Sequence, residues 1–429
     1  MLPAPLGGQE AAGVAARRAA VSLLHAVTVL GRPLDLAFDR ACRDLDRGPD
    51  RALARALAGQ ALRFLVDLDR LIDSACLRPL PADSRARQVL RVALAGHLRL
   101  GTPPHAMIAT ALPLVERGPR RLVHGVLSRL LRERAGLPER PTLPEPWASR
   151  WEDAWGTEML EHARAALSEV PPVDLALRDP GATALWVERL GATSLFPGHI
   201  RLDGSHDVTK LAGFEDGAWW VQDAAAQLPA RLLGDVNGLS VLDACAAPGG
   251  KTMQLASRGA RVTSVDISAA RMQRLNANLR RTALVAEPIV ADLLDWVPDA
   301  PFDAILVDTP CSATGTFRRH PDVLHLRRSG EIESLLAFQQ ALIVRAAGWL
   351  KPGGRLVYAV CSLEPDEGEG QVERFLGLSA LVPDAVRAGE LPEGIVPDRL
   401  GGVRTLPGIW PSKGGADGFY VARFRATDA

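Results

Sequence analysis

Leu239-Ser-Val-Leu-Asp243-Ala-Cys-Ala-Ala-Pro-Gly-Gly-Lys-Thr252 runs from a short apolar segment into a glycine-bearing turn. The segment Ser240–Asp243 reads as a buried strand. Gly249 and Gly250 let backbone come close to a ligand where the next helix begins. The turn is not a nucleotide-triphosphate loop, because no glycine stands five residues before Gly250-Lys251-Thr252, and it lacks the GxGxxG of dinucleotide folds.

The same rhythm continues downstream. Apolar runs at Val262–Asp266, Pro288–Asp292, Phe302–Asp308 and Arg355–Val360 alternate with helical stretches, which predicts a mainly parallel sheet covered by helices. Four of the five runs end in an acidic residue: Asp243, Asp266, Asp292 and Asp308. One such residue is explained by capping of the following helix. Four in register point to a polar ligand read from several strand ends, where open α/β sheets bind their ligands. Asp266, 23 residues after Asp243, is placed to accept both hydroxyls of a ribose, and Asp292 to accept from the exocyclic amine of adenine. Ribose, adenine and a cationic sulfur near carboxylates fit S-adenosylmethionine better than NAD, with a dinucleotide as the runner-up on spacing.

The fourth run continues as Thr309-Pro310-Cys311-Ser312-Ala313-Thr314-Gly315, and the fifth ends Val360-Cys361-Ser362. A cysteine in an apolar strand is ordinarily a small buried hydrophobe. These two lie just past the apolar run, where the chain turns into the cleft, so the reactive reading is favoured, for Cys361 more than for Cys311.

Toward the N-terminus, apolar residues recur at helical spacing in Ala20-Leu23-Leu24-Val27-Leu30 and Val89-Leu90-Val92-Ala93-Leu98, so residues 14–135 are expected to be all-helical. Four prolines in 136–148 read as a stiff linker. Residues 149–235 are expected to be a small mixed α/β region, with Ala184-Leu185-Trp186-Val187 as a candidate strand. Residues 236–429 form the strand-rich remainder. The formal net charge of zero hides a division: residues 1–140 carry 22 Arg, no Lys and 13 Asp or Glu, a net of +9, against −9 for the rest. A basic module for a polyanion and solvated helix faces are equally good readings of that charge. Five scattered cysteines suit free thiols in a reducing cytoplasm. No secretory leader or membrane-length apolar run is seen, and no Cys/His cluster has metal-ligand spacing, so neither a membrane nor a metal is expected. No heptad seam is found, which suits a monomer.

The TPCSATG (309–315), VCSLEP (360–365) and DACAAPGGKT (243–252) segments resemble the Sun-type (nucleolar-protein) family of RNA cytosine-5 methyltransferases, over about residues 145–429. Trp220-Val-Gln-Asp-Ala-Ala225, Phe317-Arg-Arg-His-Pro-Asp322 and Asp417-Gly-Phe-Tyr420 support the match. The helical front resembles the RNA-binding NusB domain, as joined to such a catalytic unit in a bacterial 16S rRNA enzyme. The resemblance implies a Rossmann-like α/β S-adenosylmethionine-dependent methyltransferase domain preceded by an all-α NusB-like domain. It implies a cofactor site of Cys245, Ala246, Ala247, Pro248, Gly249, Gly250, Lys251, Asp266, Asp292 and Asp308. Cys361 becomes the nucleophile that adds to carbon 6 of cytosine, and Cys311 aids product release. Asp308 contacts the cytosine edge or the methionyl end, and Lys251 lowers a thiol's pKa or orients the base. RNA is the implied partner, small-subunit ribosomal RNA ahead of transfer RNA. The rivals are a non-catalytic RNA-binding assembly factor and a DNA cytosine methyltransferase. Three positions depart from the family's pattern: Gly368 where Asn is common, Val360 where Thr is frequent, and His325 where Trp is often seen.

Overall fold

The computed structural model describes residues 13–46, 48–204, 206–326, 331–377 and 381–427. Contacts divide the chain into two units: the described residues of Met1–Ser149 with His320–Arg327, and Arg150–Arg319 with Arg328–Ala429. Among the described residues no helix is long and apolar enough to cross a membrane.

The first unit is helical, as its periodicity predicts. Its helices are α1 (Val14–Thr28), α2 (Leu34–Ala41), α3 (Gly48–Arg63), α4 (Leu65–Ser74), α5 (Arg85–Leu100), α6 (Pro104–Ala111) and α7 (Arg117–Arg132). Helix α5 is the axis of the unit. Ser84 caps its start by accepting from Arg87 N, and Gly101, at φ 68°, ends it in the left-handed conformation. Leu90 and Val89 of α5 pack with Leu23 and Leu24 of α1 and Leu57 of α3. Part of this unit's basic excess is spent internally. Buried Arg91 forks onto Asp69 (2.8 and 2.6 Å), and buried Arg87 pairs with Asp73 at 2.5 Å. On α7, by contrast, Arg120, Arg121, Arg129 and Arg132 are exposed.

A segment far downstream in sequence completes this unit. Asp322 accepts from Leu34 N at 2.9 Å and so satisfies an N-terminal donor of α2. Leu324 O accepts from Trp147 Nε1 at 3.0 Å, and a ring nitrogen of His325 lies 2.9 Å from Leu62 O. Burial pushes His325 down to about 4, so the imidazole is neutral near pH 7.

In the second unit a small antiparallel sheet, order β2-β1-β3, comprises β1 (Val173–Leu177), β2 (His199–Leu202) and β3 (Trp219–Val221). The large sheet is built from β4 (Ser240–Ala244), β5 (Arg261–Asp266), β6 (Glu287–Val290), β7 (Phe302–Asp308), β8 (Leu350–Val360), β9 (Leu381–Pro383), β10 (Val403–Thr405) and β11 (Phe419–Ala426). Its order is β10-β11-β8-β7-β4-β5-β6, with β9 also paired to β11. β4 to β8 are parallel, and β9 to β11 form an antiparallel edge. Both faces are covered: Ala304 and Leu306 of β7 enter one core, while Ile305 and Val307 enter the other with Leu342 and Ile343 of a long helix. Hence the strands read as continuous apolar runs rather than alternating ones. The order reverses between β4 and β7, so the crevice at their carboxyl ends is the expected ligand site.

The Rossmann-like α/β unit and the all-α front are as expected. Two local readings need correction. Ala184–Val187 is not a strand but lies in a helix, Thr183–Leu190, which follows a 3-10 turn, Pro180–Ala182, capped by Asp179 accepting from Gly181 N, and ends at Gly191 with φ 59°. A four-residue apolar run does not fix a period; here Trp186 is buried and Leu185 is exposed, as on a half-buried helix. The third run ends as a strand at Val290, leaving Asp292 two residues beyond it.

Leu90→Ala should destabilise the helical unit by about 2–5 kcal/mol, as expected for a core leucine with little room to collapse around it. Thermal denaturation followed by circular dichroism checks this, and a loss below about 1 kcal/mol would show α5 is not the axis described.

Candidate active site

The site grows from the end of β4. Cys245 takes φ 61° and turns the chain, and Gly249, at φ 102°, opens the helix Gly250–Ser257. Ala246 N donates to Val265 O at 3.1 Å, and Ala247 N to Asp266 Oδ2 at 3.2 Å, so the turn is tied to the end of β5. Ala246, Ala247, Pro248, Gly250, Lys251, Asp243 and Asp308 line a cavity of about 440 Å³, within the range of small-molecule sites.

The strand-end carboxylates have different surroundings. Asp243 is fully buried; one oxygen accepts from Thr252 Oγ1 at 2.6 Å, while Oδ1 has no partner among the described residues. Burial, with Asp308 and Asp266 adding to it against Thr252 and Lys251, raises its pKa to about 7. Asp266, also buried, accepts from Ser268 N and is gripped through both oxygens by Arg271 at 2.8 Å. Asp292 is half-buried and accepts from Leu294 N at 2.9 Å. Asp266 and Asp292 share a rim through the parallel pairing of β5 and β6 but lie outside the cavity lining.

Asp308, the last residue of β7, accepts from Lys251 Nζ at 2.6 Å. Burial opposes the charge on Lys251, but Asp308, Asp243 and Cys361 outweigh it and hold the ammonium above its usual pKa. The ammonium also lies 5.3 Å from the centre of the Phe419 ring. Cys245 is unsuited to nucleophilic work, since burial and then the neighbouring Asp308 and Asp266 push its thiol up.

Cys311 and Cys361 meet. Their sulfurs are 3.4 Å apart, because β7 and β8 are adjacent and parallel with Asp308 opposite Ala359. The sulfur of Cys361, then burial, then Glu367 push the Cys311 thiol far above its usual range.

Several groups escape a reading by motif. Glu367, fully buried, accepts from Ser312 Oγ at 2.5 Å and Ser362 Oγ at 2.6 Å, so it touches both cysteine turns. Arg318 bridges Asp223 (2.6 Å) and Asp417 (2.8 Å). Three segments that look separate in sequence therefore join in one buried ion network, and Asp223 and Arg319 wall the cavity. No periodicity signals such convergence. The departures from the family pattern are internal. Gly368 leaves room for Arg404, whose Nη2 would lie 2.1 Å from a Cβ there, and Arg404 Nη1 donates to Ser362 O at 2.5 Å. Val360 is fully buried, and His325 is half-buried within the helical unit.

Comparison with known proteins accords with this geometry. The model of the 16S rRNA methyltransferase RsmB/F family matches residues 230–425, and that of the NusB family matches residues 14–132. A ribosomal RNA small subunit methyltransferase B of Cronobacter sakazakii is 35% identical over 399 residues, covering 87% of this chain and 90% of that one. The chain belongs to the RsmB/F family of RNA methyltransferases. A methyltransferase B of Xylella fastidiosa is 34% identical and covers 96% of this chain and 98% of its own. Among solved structures, PH0851 matches with TM-score 0.73 at 21% identity, covering 99% of each chain. A methyltransferase homologue from Pyrococcus horikoshii matches with TM-score 0.55 at 22% identity over 70% of this chain and 98% of that one. At these identities the two structures bear on the fold.

Because Asp243 has a raised pKa in the folded state, the native protein holds a proton that the unfolded chain releases. Stability contributed by that proton is present at pH near 4 and is lost as pH rises toward about 7. Asp243→Asn should remove this dependence. Denaturant melts at several pH values between those limits should show wild-type stability falling relative to the variant; parallel curves would mean that the carboxyl is not protonated in the fold.

Proposed function

We propose that the protein methylates carbon 5 of a cytosine in RNA, with Cys361 bonding transiently to carbon 6 of the base. The observation that carries this reading is the 3.4 Å approach of two thiols on adjoining strand ends, beside the Lys251–Asp308 pair. One thiol would serve an ordinary nucleophile; a second within contact fits a reaction with separate attack and release steps.

Carbon 5 of cytosine is a weak nucleophile. Addition of the Cys361 thiolate to carbon 6 makes an enamine whose carbon 5 can take a methyl group. S-adenosylmethionine supplies that methyl when bound. The buried acceptor Asp243 Oδ1, the glycine turn and the cavity of about 440 Å³ support a fit. Residues Cys245–Lys251 would hold the cofactor, with Asp266 for the ribose, Asp292 for the adenine and Asp308 for the methionyl end or the base. For Asp266 to accept a ribose, the half-exposed Arg271 must release it. Asp308 would steady the protonated ring through the ring nitrogen, and Lys251 would orient the base. After methylation the carbon 5 proton leaves to a base, the electron pair re-forms the ring double bond, and Cys361 departs as thiolate, with Cys311 assisting this release. The target base must be unstacked to reach the crevice.

The relatives' names and the NusB-like front support small-subunit ribosomal RNA over transfer RNA, and the exposed arginines of α7 support an RNA-binding role for that front. The protein is read as a cytoplasmic monomer. The four parts expected from sequence (14–135, 136–148, 149–235 and 236–429) are retained as the working division.

Cys361→Ala should abolish transfer of labelled methyl from S-adenosylmethionine to RNA; transfer at the wild-type rate would remove the nucleophile. Cys311→Ala should let a covalent protein–RNA adduct build up on denaturing gels, and absence of any adduct would remove the release role. Offering RNA and DNA side by side should label RNA alone.

A further inference from the structure

We propose that Glu367 is the positioning residue of the sulfur pair: its buried carboxylate fixes the two Cys–Ser turns against each other and leaves their shared proton on Cys311. The inference rests on the reading of Cys361 as nucleophile and deepens it.

The geometry is specific. Glu367 has no exposed surface. Oε1 accepts from Ser312 N at 2.9 Å and Gln339 Nε2 at 3.0 Å; Oε2 accepts from Ser312 Oγ at 2.5 Å and Ser362 Oγ at 2.6 Å. Its backbone is held too, since its carbonyl accepts from Tyr358 OH at 2.5 Å. Each serine follows directly on one of the paired cysteines. One rigid side chain therefore sets the position of both sulfurs relative to each other. Gln339 is oriented in turn by Gln371 Nε2 (3.1 Å) and also reaches Pro310 O (3.1 Å), which braces the chain just before Cys311.

The donor set also fixes the charge. Four donors converge on two oxygens, the pattern of an ionised carboxylate. None of the four is a lysine or arginine, so the negative charge is not cancelled by an ion pair at contact and acts on its neighbours through a dry interior. Around the sulfurs stand Asp308 at the end of β7, Tyr358 in β8, Lys251 from the helix after β4, Glu367 from the turn after β8, and Arg404 on the Ser362 carbonyl. The two opposite fields fall unequally. Glu367 raises Cys311, whereas the Lys251 ammonium interacts with Cys361. Two thiols in contact cannot both ionise cheaply. The arrangement thus keeps the proton on Cys311, beside the Glu367 charge, as a thiol reserved for assisted release requires.

Alkylation of the full-length protein with iodoacetamide, resolved by peptide mass spectrometry from about pH 6 to about pH 10, tests this. In the wild type Cys361 should react about tenfold faster than Cys311 near neutral pH. Glu367→Gln keeps the shape but removes the charge. It should move the Cys311 profile to lower pH while the profile of the partly exposed Cys76 of the helical unit stays put as an internal control, and should lower kcat for methyl transfer about tenfold with KM for RNA unchanged. Glu367→Asp, too short to reach both serines, should not restore kcat. An unmoved Cys311 profile in folded Glu367→Gln overturns the proposal. So does equal or faster reaction of Cys311 in the wild type, a comparison that holds even if the variant does not fold. Alkylation reads the sulfurs without any methyl transfer, so failure here and survival of activity in Cys361→Ala are separate results.

Discussion

The register of β7 against β8 is the constraint on which the site depends. Parallel strands have side chains that alternate faces with a period of two, so a slip of β8 by one residue would exchange its faces and carry Cys361 away from Cys311. The register is held by apolar layers on both faces. Ile305 and Val307 with Leu356, Tyr358 and Val360 fill one core, and Ala304 and Leu306 with Val357 and Ala359 fill the other. Neither face can be turned to solvent without emptying a core. Packing energy, spread over these nine buried side chains, thus becomes precision at two sulfur atoms.

Precision of this sort cannot come from strands alone, because the cysteines lie just beyond the last ladder positions. The turns that carry them are tied by bonds outside the ladder, from side chain and backbone alike. Thr314 Oγ1 accepts from Leu363 N at 3.0 Å, Gly315 N donates to Cys361 O at 3.0 Å, and Gly418 N donates to Gly315 O at 2.8 Å. A Cβ at Gly315 would come within 1.9 Å of Gly418 O. The glycines at the end of TPCSATG and within DGFY are thus explained by close backbone approach.

Much of this was legible in the sequence. The apolar runs gave the strands because a sheet covered on both sides needs uninterrupted apolar residues, and the paired cysteines were visible because each interrupts such a run at its end. The helical front was legible from its period. What was not legible depends on groups that acquire meaning only from distant partners. Glu367 sits among Glu364, Asp366 and Glu369 and looks like one more surface acid; only the fold turns it inward. Asp322 and His325 read as part of the catalytic half and belong to the helical unit. The run at 184–187 misled because four apolar residues suit a strand and half a helical turn alike.

That downstream piece of the helical unit bears on how the chain assembles as it is synthesised. The backbone N–H of Leu34 and the indole of Trp147 find their acceptors on Asp322 and Leu324, the latter pair nearly 180 positions apart. Until the ribosome has passed that point, α2 lacks its capping carboxylate and the pocket for Leu326 is open. The N-terminal helices can collapse early, but they become a finished body only after the strand bearing Asp308 has been made. Nascent-chain order and structural order therefore run in different directions, and a cut placed in the proline-rich stretch would leave the helical unit without the downstream segment that completes it.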